Sequence, residues 1–451
     1  MSDIIAAIAT GRAPCAIGIL RLSGPGCAAL TGRVFTPKQP FADAPDRRLV
    51  LGLLHDRQGR VIDECLGVVC RAPHSYTGEE TVELQCHGSP AMLAAGLESL
   101  LAAGARQAGP GEFTRRAFLN GKLDLTQAEA VVDLIDAETA DAAANAAGQL
   151  GGALKRAIGP VYDGLTDLCS HFHAVLDYPD EDIEDFGAAE LSGALDRAGA
   201  ALQELLATYE KGRHLRQGVR AVLLGKPNAG KSSLLNRLAG YDRVIVTDIA
   251  GTTRDTVEEP VRVGRVLLRL TDTAGIREAG DAIEALGVAR SEQAAREAEL
   301  ALFVCDASQP LTDEDRRAIE AAKCAPRSLA LCNKSDLPAA VSPDELPFDT
   351  VLTVSARTGA GLDALPALLE GWFLGENACD GSLLTNPRQF GALDRASRAI
   401  ERAKTSLSLG VTPDAVLTDV EEAMAALGEV TGRTVREDIT NRIFERFCVG
   451  K

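Results

Sequence analysis

Residues 225–232 read Gly-Lys-Pro-Asn-Ala-Gly-Lys-Ser and fit G-x-x-x-x-G-K-[ST], the pattern of a phosphate-binding loop. The apolar run at residues 219–224 leads into this loop as a strand would. The glycines allow backbone N–H groups to surround phosphate oxygens, and Lys231 can reach the β- and γ-phosphates of a nucleotide. The hydroxyl of Ser232 can bind Mg²⁺. The loop therefore predicts a site for a nucleoside triphosphate with magnesium.

A second motif, Asp-Thr-Ala-Gly at residues 272–275, follows another apolar run at residues 266–270. A carboxylate at the end of a strand can hold the ligand shell of Mg²⁺, and a glycine there can turn its N–H toward the γ-phosphate. The next residue is Ile276, where small switch GTPases have a glutamine that orients the attacking water. An isoleucine cannot do this, so either hydrolysis is slow or another group takes over the role.

Two further motifs specify the base. Asn-Lys-Ser-Asp at residues 333–336 follows the apolar run 328–332, and Ser-Ala-Arg at residues 355–357 follows a fourth run. Asp336 can accept hydrogen bonds from the N1 and N2 protons of guanine, Asn333 can brace the pocket, and the last motif can offer a backbone N–H to guanine O6. Such a site rejects adenine, because its polar groups would be left buried and unpaired. The four motifs together predict a guanine nucleotide site.

Two features could replace the missing glutamine. Asn228 puts a side-chain oxygen beside the β- and γ-phosphates, and residues 247–255 form a segment that is rich in oxygen ligands and contains a flexible glycine. A monovalent cation between them would stand where an arginine finger stands in other GTPases, and it would offset charge on the leaving phosphate. The sequence therefore favours cation-assisted hydrolysis.

Composition limits the class of protein. A chain of 451 residues is too long for one ordinary core, and its 46% hydrophobic and 25% charged residues are typical of a soluble globular protein. No apolar run approaches the roughly 18 residues of a membrane span, and the first residues carry no signal or transit-peptide pattern. The eleven cysteines include no C-x-x-C pair and the six histidines show no ligand spacing, so we expect reduced cytoplasmic thiols and no zinc site. The net charge of −17 argues against broad non-specific binding of nucleic acid.

The periodicity of the chain changes three times, which predicts a multidomain α+β protein. Residues 1–119 mix short strand patterns with one helix, residues 120–216 and 377–451 are helical, and residues 217–376 alternate strands and helices around the four motifs. The simplest account is an N-terminal α+β domain and an α-helical domain, into which a P-loop α/β domain with a parallel sheet is inserted. Long helical stretches are expected at residues 127–141 and 187–211.

Over essentially its whole length the sequence resembles the MnmE family, also called TrmE, of tRNA uridine-modification GTPases in the TrmE-Era-EngA-like class. The chain ends in Cys-Val-Gly-Lys, which matches the family's C-x-G-K tail with valine in place of the commoner isoleucine. The resemblance implies a folate-binding-like N-terminal domain and a TrmE-type G domain inserted in the helical domain. The segments that carry it are residues 75–80, 110–120, 122–125, 225–233, 247–255, 272–275 and 447–451.

The resemblance also implies roles within the nucleotide site. Glu284 would orient the attacking water, although from the sequence alone an exposed acid at a helix start is the simpler interpretation. The implied K⁺ ligands are Asn228, Thr252 and the backbones of Thr247 and Ile249, and the implied Mg²⁺ ligands are Ser232 and Thr253. The implied catalytic residues are Lys231, Thr253, Asp272 and Glu284, with Cys448 as a further candidate. The residues expected to surround GTP are Asn228, Ala229, Gly230, Lys231, Ser232, Ser233, Thr247, Asp248, Ile249, Ala250, Gly251, Thr252, Thr253, Asp272, Thr273, Ala274, Gly275, Asn333, Lys334, Ser335, Asp336, Ser355, Ala356 and Arg357.

The family's folate contacts fall on Arg21, Glu79, Lys122 and the terminal Lys451. The implied ligand is 5-formyltetrahydrofolate or a related tetrahydrofolate. An acid can bind the N–H groups of a pterin ring, and lysines can pair with glutamate carboxylates. From the sequence alone each of these residues would be interpreted as a surface charge. The resemblance further implies a homodimer formed through residues 1–119.

Cys448 lies in the tail close to Phe444 and Phe447, where a small packed residue is the ordinary interpretation. A thiolate nucleophile would need a nearby cation or base. The tail would let this thiol reach a folate bound elsewhere, so both interpretations stay open.

These observations and the resemblance predict a cytoplasmic, homodimeric, K⁺-activated GTPase. With an FAD-containing partner of the MnmG (GidA) type, in an expected heterotetramer, it would add a carboxymethylaminomethyl or aminomethyl group at C5 of the wobble uridine (U34) of certain tRNAs. Folate would supply the one-carbon unit.

One alternative is a ribosome-assembly GTPase of the Era or Der type, but no G-x-x-G clamp for RNA follows residue 376. The other alternative is a GTP-gated switch or scaffold without catalysis.

Two locally basic segments, residues 106–122 and 387–404, could contact tRNA phosphates. A solvated charged face is the simpler interpretation of both. That tRNA is the substrate follows from the resemblance and not from these charges, and no membrane partner is expected.

Overall fold

The structure is a computed structural model. It describes residues 3–11, 13–37, 40–177, 188–241, 258–271, 292–375, 380–411, 413–433, 443–444, 447 and 449–450. Contacts within the chain group it into two compact units. The first consists of Met1–Val132, Leu150–Leu195 and Arg398–Lys451, and the second of Asp133–Gln149 and Asp196–Ser397. This grouping does not test the expected domain bounds at residues 119, 216 and 376, which stay predictions.

The first unit contains a seven-stranded sheet. Its strands are β1 (Ile5–Ile8), β2 (Cys15–Ser23), β3 (Phe35–Pro37), β4 (Val50–His55), β5 (Val61–Cys70), β6 (Thr81–Gly88) and β7 (Arg106–Gln107). They lie in the order β3-β4-β5-β6-β2-β1-β7, and the pairings are antiparallel except that of β1 with β7. Buried and exposed side chains alternate along β4 and in the second half of β5, so one face of the sheet supplies the core.

Helix α2 covers the core face of this sheet. The helices of this part are α1 (Cys27–Thr31), α2 (Pro90–Ala102) and α3 (Glu112–Leu119). Leu93 and Leu100 of α2 are buried. A Cβ added at Gly18 of β2 would lie 2.4 Å from a methyl of Leu93, and one added at Gly96 would lie 2.7 Å from a methyl of Leu20. The two glycines therefore allow the helix to approach the sheet closely. The one helix expected within residues 1–119 is present as α2, but the structure adds the shorter helices α1 and α3.

The helical segments are more divided than the sequence suggested. The helices are α4 (Leu125–Ile135), α5 (Ala140–Leu150), α6 (Ala153–Asp177), α7 (Ala188–Ala207) and α8 (Tyr209–Gln217). The prediction of one long helix over residues 127–141 was wrong, because α4 ends and α5 begins within that stretch. The prediction of one long helix over residues 187–211 was likewise wrong, because α7 ends at Ala207 and α8 begins at Tyr209.

A threonine lies at each break. Thr139 accepts a hydrogen bond from the N–H of Ala142 at 3.1 Å and so caps the start of α5. Thr208 donates to the carbonyl of Leu205 at 2.7 Å and accepts from the N–H of Leu384 at 3.0 Å. The partner at Leu384 is distant in sequence, so helical periodicity alone could not predict the second break.

The second unit contains a six-stranded sheet. Its strands are β8 (Val219–Leu224), β9 (Glu258–Val263), β10 (Val266–Thr271), β11 (Leu300–Asp306), β12 (Arg327–Asn333) and β13 (Val351–Thr353), with helices α9 (Lys231–Tyr241), α10 (Asp313–Ala322) and α11 (Ala364–Phe373). The order is β13-β12-β11-β8-β10-β9, and the pairings are parallel except that of β9 with β10. Every residue of the central strand β11 is buried, as in a sheet with both faces covered. The four strands expected before the four motifs are confirmed.

Two helices follow this sheet in the chain, α12 (Pro387–Ser408) and α13 (Pro413–Thr431). Helix α13 packs against α6, and the thiol of Cys169 lies 3.4 Å from the sulfur of Met424. Helical segments thus precede and follow a P-loop α/β sheet, and an α+β domain precedes both. The expected multidomain α+β fold is confirmed. Over the residues described, no helix is long and apolar enough to cross a membrane.

A half-buried carboxylate joins α8 to the start of β11. Glu299 Oε1 lies 2.5 Å from Arg213 Nη2 and 3.1 Å from His214 Nε2, and Glu299 Oε2 accepts from the N–H of Arg220 at 3.2 Å. Burial tends to raise the pKa of Glu299, but the bonds from His214 and Arg213 outweigh it and lower the pKa from 4.5 to about 2. This carboxylate therefore stabilises the fold only while it is ionised.

We expect Glu299→Gln to remove a pH-dependent part of the stability of roughly 2 kcal/mol, after allowance for solvent screening. Because the folded pKa lies below the unfolded value, the contribution is complete above pH 4.5 and is lost as the pH falls toward 2. Urea unfolding at a series of pH values should show the difference between wild type and variant shrinking below pH 4.5. Glu320→Gln, at an exposed carboxylate, is the control. A wild-type advantage that stayed constant with pH would contradict the assignment.

Candidate functional site

Three of the four predicted nucleotide motifs lie at one edge of the second unit's sheet, and the fourth, residues 272–275, lies outside the described residues. Strands β8, β10, β12 and β13 run parallel within it, so their carboxyl ends point to the same side. Each motif begins at the last residue of one of these strands or within two residues after it. Ligands of open α/β sheets bind outside the carboxyl ends of the strands. The topology therefore gathers at one edge motifs that are far apart in sequence.

The backbone of the phosphate-binding loop requires its glycines. Gly225 has φ +142°, and a Cβ added there would lie 2.1 Å from the carbonyl oxygen of Val304. Gly230 has φ +99°, and a Cβ there would lie 2.1 Å from Asn333 Nδ2. Asn228, between them, has φ +62°, a left-handed conformation that asparagine tolerates better than most residues. The loop is thus a tightly curved backbone cradle with the side chain of Asn228 exposed on it.

Helix α9 begins at Lys231, directly after this cradle. A helix start presents unpaired N–H groups and a partial positive charge, which suit phosphate. Lys231 Nζ donates to the carbonyls of Gly225 and Lys226, so the ammonium lies within the loop. Ser232 and Ser233 are exposed on the first turn of the helix. The donor set fits a nucleotide phosphate, and the Ser232 hydroxyl is accessible for Mg²⁺.

Asn333 connects the phosphate loop to the base-binding motifs. Its Nδ2 donates to the carbonyl of Ala229 at 2.9 Å, and its Oδ1 accepts from the N–H of Ala356 at 2.9 Å. The side chain is buried, so both ends of the amide are satisfied inside the protein. Asn333 therefore links the two loops, as a brace of the pocket would. The Ala356 N–H is used in this link, and the backbone donor to guanine O6 stays a prediction.

Asp336 is held by the Ser-Ala-Arg motif. One carboxylate oxygen accepts from Ser355 Oγ at 2.5 Å, and the other lies 2.5 Å from Arg357 Nη2. The hydrogen bond from Ser355 is the largest cause that lowers the pKa of Asp336 below its usual value. The carboxylate is therefore ionised and can accept two hydrogen bonds, as recognition of the guanine N1 and N2 protons requires.

Two lysines of the motifs are paired with acids from neighbouring elements. Lys334 Nζ lies 2.6 Å from Asp306 Oδ2 at the end of β11, and Lys226 Nζ lies 2.8 Å from Asp315 Oδ2 in the first turn of α10. Asp315 is fully buried and also accepts from the N–H of Thr312, which completes a capping box. The sequence pattern Thr-x-x-Asp could have indicated the cap, but nothing in it indicates Lys226 as a partner.

We expect Asp315→Asn to lower the free energy of unfolding by about 3 kcal/mol, because Lys226 would keep a largely buried charge without its carboxylate. Urea unfolding of the purified variant measures this. Glu314→Gln is the matched control: it removes the same charge from an exposed neighbour in the same helix turn, and it should change stability by less than about 0.5 kcal/mol. Equal effects of the two substitutions would show that the buried pair does not anchor the loop.

A large part of the predicted site lies outside the described residues. For these residues the predicted roles rest on the sequence alone. They are Thr247, Asp248, Ile249, Ala250, Gly251, Thr252, Thr253, Asp272, Thr273, Ala274, Gly275, Glu284, Cys448 and Lys451.

Three of the four predicted folate residues surround one loop of the first unit, between β5 and β6. Glu79 belongs to this loop. The guanidinium carbon of Arg21 lies 6.0 Å from the centre of the Tyr76 ring, and Lys122 Nζ donates to the carbonyl of Pro73 at 3.2 Å. The structure therefore brings Arg21, Glu79 and Lys122 to one region, although no sequence spacing links them.

Glu79 is part of a partly buried ionic network that the sequence did not indicate. Its Oε2 accepts from Ser23 Oγ at 2.8 Å and from Arg116 Nη1 at 2.9 Å. Arg116 also pairs with Asp3, whose pKa is lowered to about 2, chiefly by its hydrogen bond from Arg106. The charges of these two arginines are thus offset within the first unit. The expectation that this basic segment could contact tRNA phosphates stays untested.

The end of the chain reaches the same region. Val449 forms an isolated β-bridge with Pro110, and Arg21 Nη1 donates to the carbonyl of Gly450 at 3.2 Å. A Cβ added at Gly450, which has φ +103°, would lie 2.4 Å from the carbonyl oxygen of Ile8. Only glycine fits this close approach. Gly450, which lies between Val449 and the terminal Lys451 in the chain, is thus held beside Arg21.

A glycine-rich phosphate cradle and an Asn-Lys-Ser-Asp motif at one edge of a parallel sheet define a P-loop protein of the guanine nucleotide-binding class. Comparison with protein families narrows this class. A family model described as the MnmE helical domain matches residues 125–448, and one described as the GTP-binding protein TrmE N-terminus matches residues 4–122. The chain belongs to the MnmE family.

Curated relatives of this family align with the whole chain. The protein of Roseiflexus sp. (strain RS-1) named tRNA modification GTPase MnmE is 45% identical and aligns with 100% of this chain and 99% of its own length. Proteins of the same name from Symbiobacterium thermophilum and Aquifex aeolicus are 44% and 41% identical, cover 100% of this chain, and are themselves covered to 99% and 100%. The resemblance seen in the sequence is therefore confirmed.

Proposed function

We propose that this protein is a cytoplasmic GTP hydrolase that acts in tRNA modification. Two findings support the proposal: full-length similarity to proteins named tRNA modification GTPase MnmE, and a guanine nucleotide site built from the expected motifs. The observation that carries the nucleotide part is the link from Asn333 to both Ala229 and Ala356, because it joins phosphate and base recognition in one site. The similarity favours this function over a ribosome-assembly GTPase of the Era or Der type.

Groups of this chain suit the positioning of the phosphates, the cations and the attacking water during hydrolysis. The N–H groups of the loop and the start of α9 would hold the phosphates, and Lys231 would bind the β- and γ-phosphates. Ser232 would hold Mg²⁺ together with Thr253. Asn228 would help to hold K⁺, with Thr247, Ile249 and Thr252, and this cation would supply positive charge at the leaving phosphate. In place of a glutamine, Glu284 would orient the attacking water.

The side chain of Asn228 is well placed for that role. It is exposed, and it belongs to a loop whose backbone is left-handed at this residue. An exposed amide oxygen is an acceptable ligand for a hard monovalent cation, whereas the loop's remaining side chains are two lysines, a proline, an alanine and Ser232, whose hydroxyl is assigned to Mg²⁺. Within the loop, Asn228 is thus the side chain that suits K⁺.

We expect K⁺ to accelerate GTP hydrolysis by about tenfold or more over Na⁺ at equal ionic strength, because the cation offsets charge in the transition state. Asn228→Ala should abolish this difference and leave the slow Na⁺ rate nearly unchanged. Steady-state phosphate release by the full-length protein measures both. Asn236→Ala, in the helix that follows the loop, removes the same side chain at an exposed position and should retain full K⁺ activation.

Equal, slow rates in the two salts for the wild type would count against cation-assisted catalysis by the isolated protein. They would favour the alternative of a GTP-gated switch or scaffold that depends on a partner. K⁺ activation that persisted in Asn228→Ala would show that another residue holds the cation.

We further propose that hydrolysis drives or times a conformational step, which the contacts of β10 support. This strand ends directly before Asp272, the first residue of the second motif. Arg269 of β10 pairs with Glu138 between α4 and α5, and Arg265 before β10 lies 2.5 Å from Asp141 of α5. A strand that leads into the γ-phosphate region is thus tied to the helical segment, so movement at the motif would reach that segment through these ion pairs.

The first unit is proposed to bind 5-formyltetrahydrofolate or a related tetrahydrofolate. Arg21 and Lys122 offer cations, and Glu79 offers an acceptor for pterin N–H groups. Arg116 and Ser23 hold the Glu79 carboxylate by hydrogen bonds, which fixes its orientation. Lys451 and Cys448 would join from the tail beside Arg21. Folate would supply the one-carbon unit for the modification.

A homodimer formed through residues 1–119 is supported by an apolar surface on the sheet of the first unit. Leu51 of β4 and Leu66 of β5 face each other across the strand pair, and both are exposed. Leu49, Leu53 and Ile17 are exposed on the same unit. A row of exposed leucines on adjacent strands marks a protein interaction surface, since isolated soluble sheets place polar residues there. A second copy of the chain would bury this surface.

The product chemistry is proposed from the resemblance. With an FAD-containing partner of the MnmG type, in a heterotetramer, the protein would add a carboxymethylaminomethyl or aminomethyl group at C5 of the wobble uridine of certain tRNAs. In the second basic segment, Arg402 pairs with Asp419 and Glu422, and Lys404 pairs with Glu401. These pairs offset part of the local positive charge, so they add no support for a tRNA-binding surface there.

A further inference from the structure

Two cysteines from different strands of the first unit face each other beside a carboxylate. The register that pairs Leu66 of β5 with Gln85 of β6 places Cys65 opposite Cys86. Asp63 precedes Cys65 by two residues and therefore lies on the same face of β5. The two thiol sulfurs and a carboxylate oxygen of Asp63 all lie within 4.8 Å of one another. None of these residues belongs to the nucleotide site or to the proposed folate site.

The three ligand atoms have the chemistry and the spacing of a zinc site. Zn²⁺ binds thiolates at about 2.3 Å and carboxylates at about 2.1 Å in a tetrahedral arrangement, so two sulfur ligands lie about 3.8 Å apart. The three ligand atoms lie within 4.8 Å of one another, so an adjustment of up to about 1 Å would reach this geometry. Both cysteines are 3% exposed and Asp63 is partly buried. A cation would thus meet two buried soft ligands and one partly buried charged oxygen.

His87 orients the carboxylate of this cluster. The N–H of His87 donates to Asp63 Oδ2 at 2.8 Å, and His87 Nδ1 lies 2.8 Å from Asp63 Oδ1. Each oxygen keeps a second lone pair for a metal. Partners that hydrogen-bond a metal-ligating side chain fix its orientation and contribute to affinity. The Asp63 side chain is therefore preorganised by a residue that need not touch the metal itself.

A second cysteine pair in the same chain provides an internal comparison. Cys305 of β11 and Cys332 of β12 also lie opposite each other, with sulfurs 3.9 Å apart, and both are buried. Within the described part of the chain, no carboxylate or imidazole joins this pair at ligand distance. Only the Cys65–Cys86 pair has a carboxylate, that of Asp63, beside it. A comparison of metal binding at the two pairs therefore distinguishes the contribution of a third ligand from that of two adjacent thiols.

We propose that Asp63, Cys65 and Cys86 form a binding site for Zn²⁺, with water as the fourth ligand. Binding would replace two thiol protons by the metal and release them to solvent, so the charges of two thiolates and one carboxylate would be offset by the cation. Because binding displaces two thiol protons, Zn²⁺ would bind more weakly as the pH falls. The metal would join β5 to β6 beneath α2 and stabilise the first unit.

The test is a Co²⁺ titration of the reduced, chelator-treated full-length protein, followed by sulfur-to-cobalt charge-transfer absorption. This absorption reports thiolate ligation, so Co²⁺ at the oxygen ligands of the nucleotide site does not contribute. We expect the band in wild type and its displacement by Zn²⁺. Cys65→Ser and Cys86→Ser should each abolish it, whereas Cys305→Ser and Cys332→Ser should retain it. Asp63→Asn and His87→Ala should each weaken Co²⁺ affinity by about tenfold or more.

Absence of the band in wild type would overturn the proposal, as would its persistence in both Cys65→Ser and Cys86→Ser. A thiol-alkylation experiment on the wild type covers the case in which these variants do not fold. Zn²⁺ should slow alkylation of Cys65 and Cys86 under mild denaturant and leave that of Cys305 and Cys332 unchanged, as read by peptide mass spectrometry. Equal protection of all four, or of none, would also overturn it.

Discussion

The buried amide of Asn333 is the interaction on which the nucleotide site depends. It donates to the carbonyl of Ala229 and accepts from the N–H of Ala356, so one side chain sets the separation of the phosphate loop and the base-binding loop. Loss of either partner would leave a buried polar group unsatisfied, at a cost of about 1–3 kcal/mol. The parallel strands β8, β11 and β12 hold the ends of this bridge in register. The sheet thus positions the amide of Asn333 between the phosphate loop and the base-binding loop.

The parts of the fold and site that are encoded locally could be predicted from the sequence. The strand Val219–Leu224 was expected at its exact bounds, because an unbroken apolar run before a glycine-rich loop has few other interpretations. The roles of Asn333 and Asp336 followed from their place in a motif at the end of such a strand. Gly225 and Gly230 belong to the same local pattern, and their positive φ angles explain why the pattern requires them.

The parts that depend on distant partners could not be predicted in this way. Thr208 breaks a helix by bonding to Leu384, and Lys226 of the phosphate loop is held by Asp315 in α10. The same limitation applies to Cys65 and Cys86, which looked like scattered thiols until strand register placed them face to face. In each case the stabilising contact joins elements whose proximity only the folded chain creates. Periodicity and motif spacing carry no information about such contacts.

The affinities of GDP and ADP for the full-length protein with Mg²⁺, measured side by side by titration calorimetry, test the central claim most directly. The claim is that Asn333 and Asp336 place a guanine-specific set of hydrogen bonds beside the phosphate loop. We expect ADP to bind more weakly than GDP by a factor of about 10⁴ or more, because adenine lacks the N1 and N2 protons whose hydrogen bonds Asp336 would accept. Affinities for GDP and ADP that agreed within about tenfold would contradict the claim, since phosphate contacts alone would then account for binding.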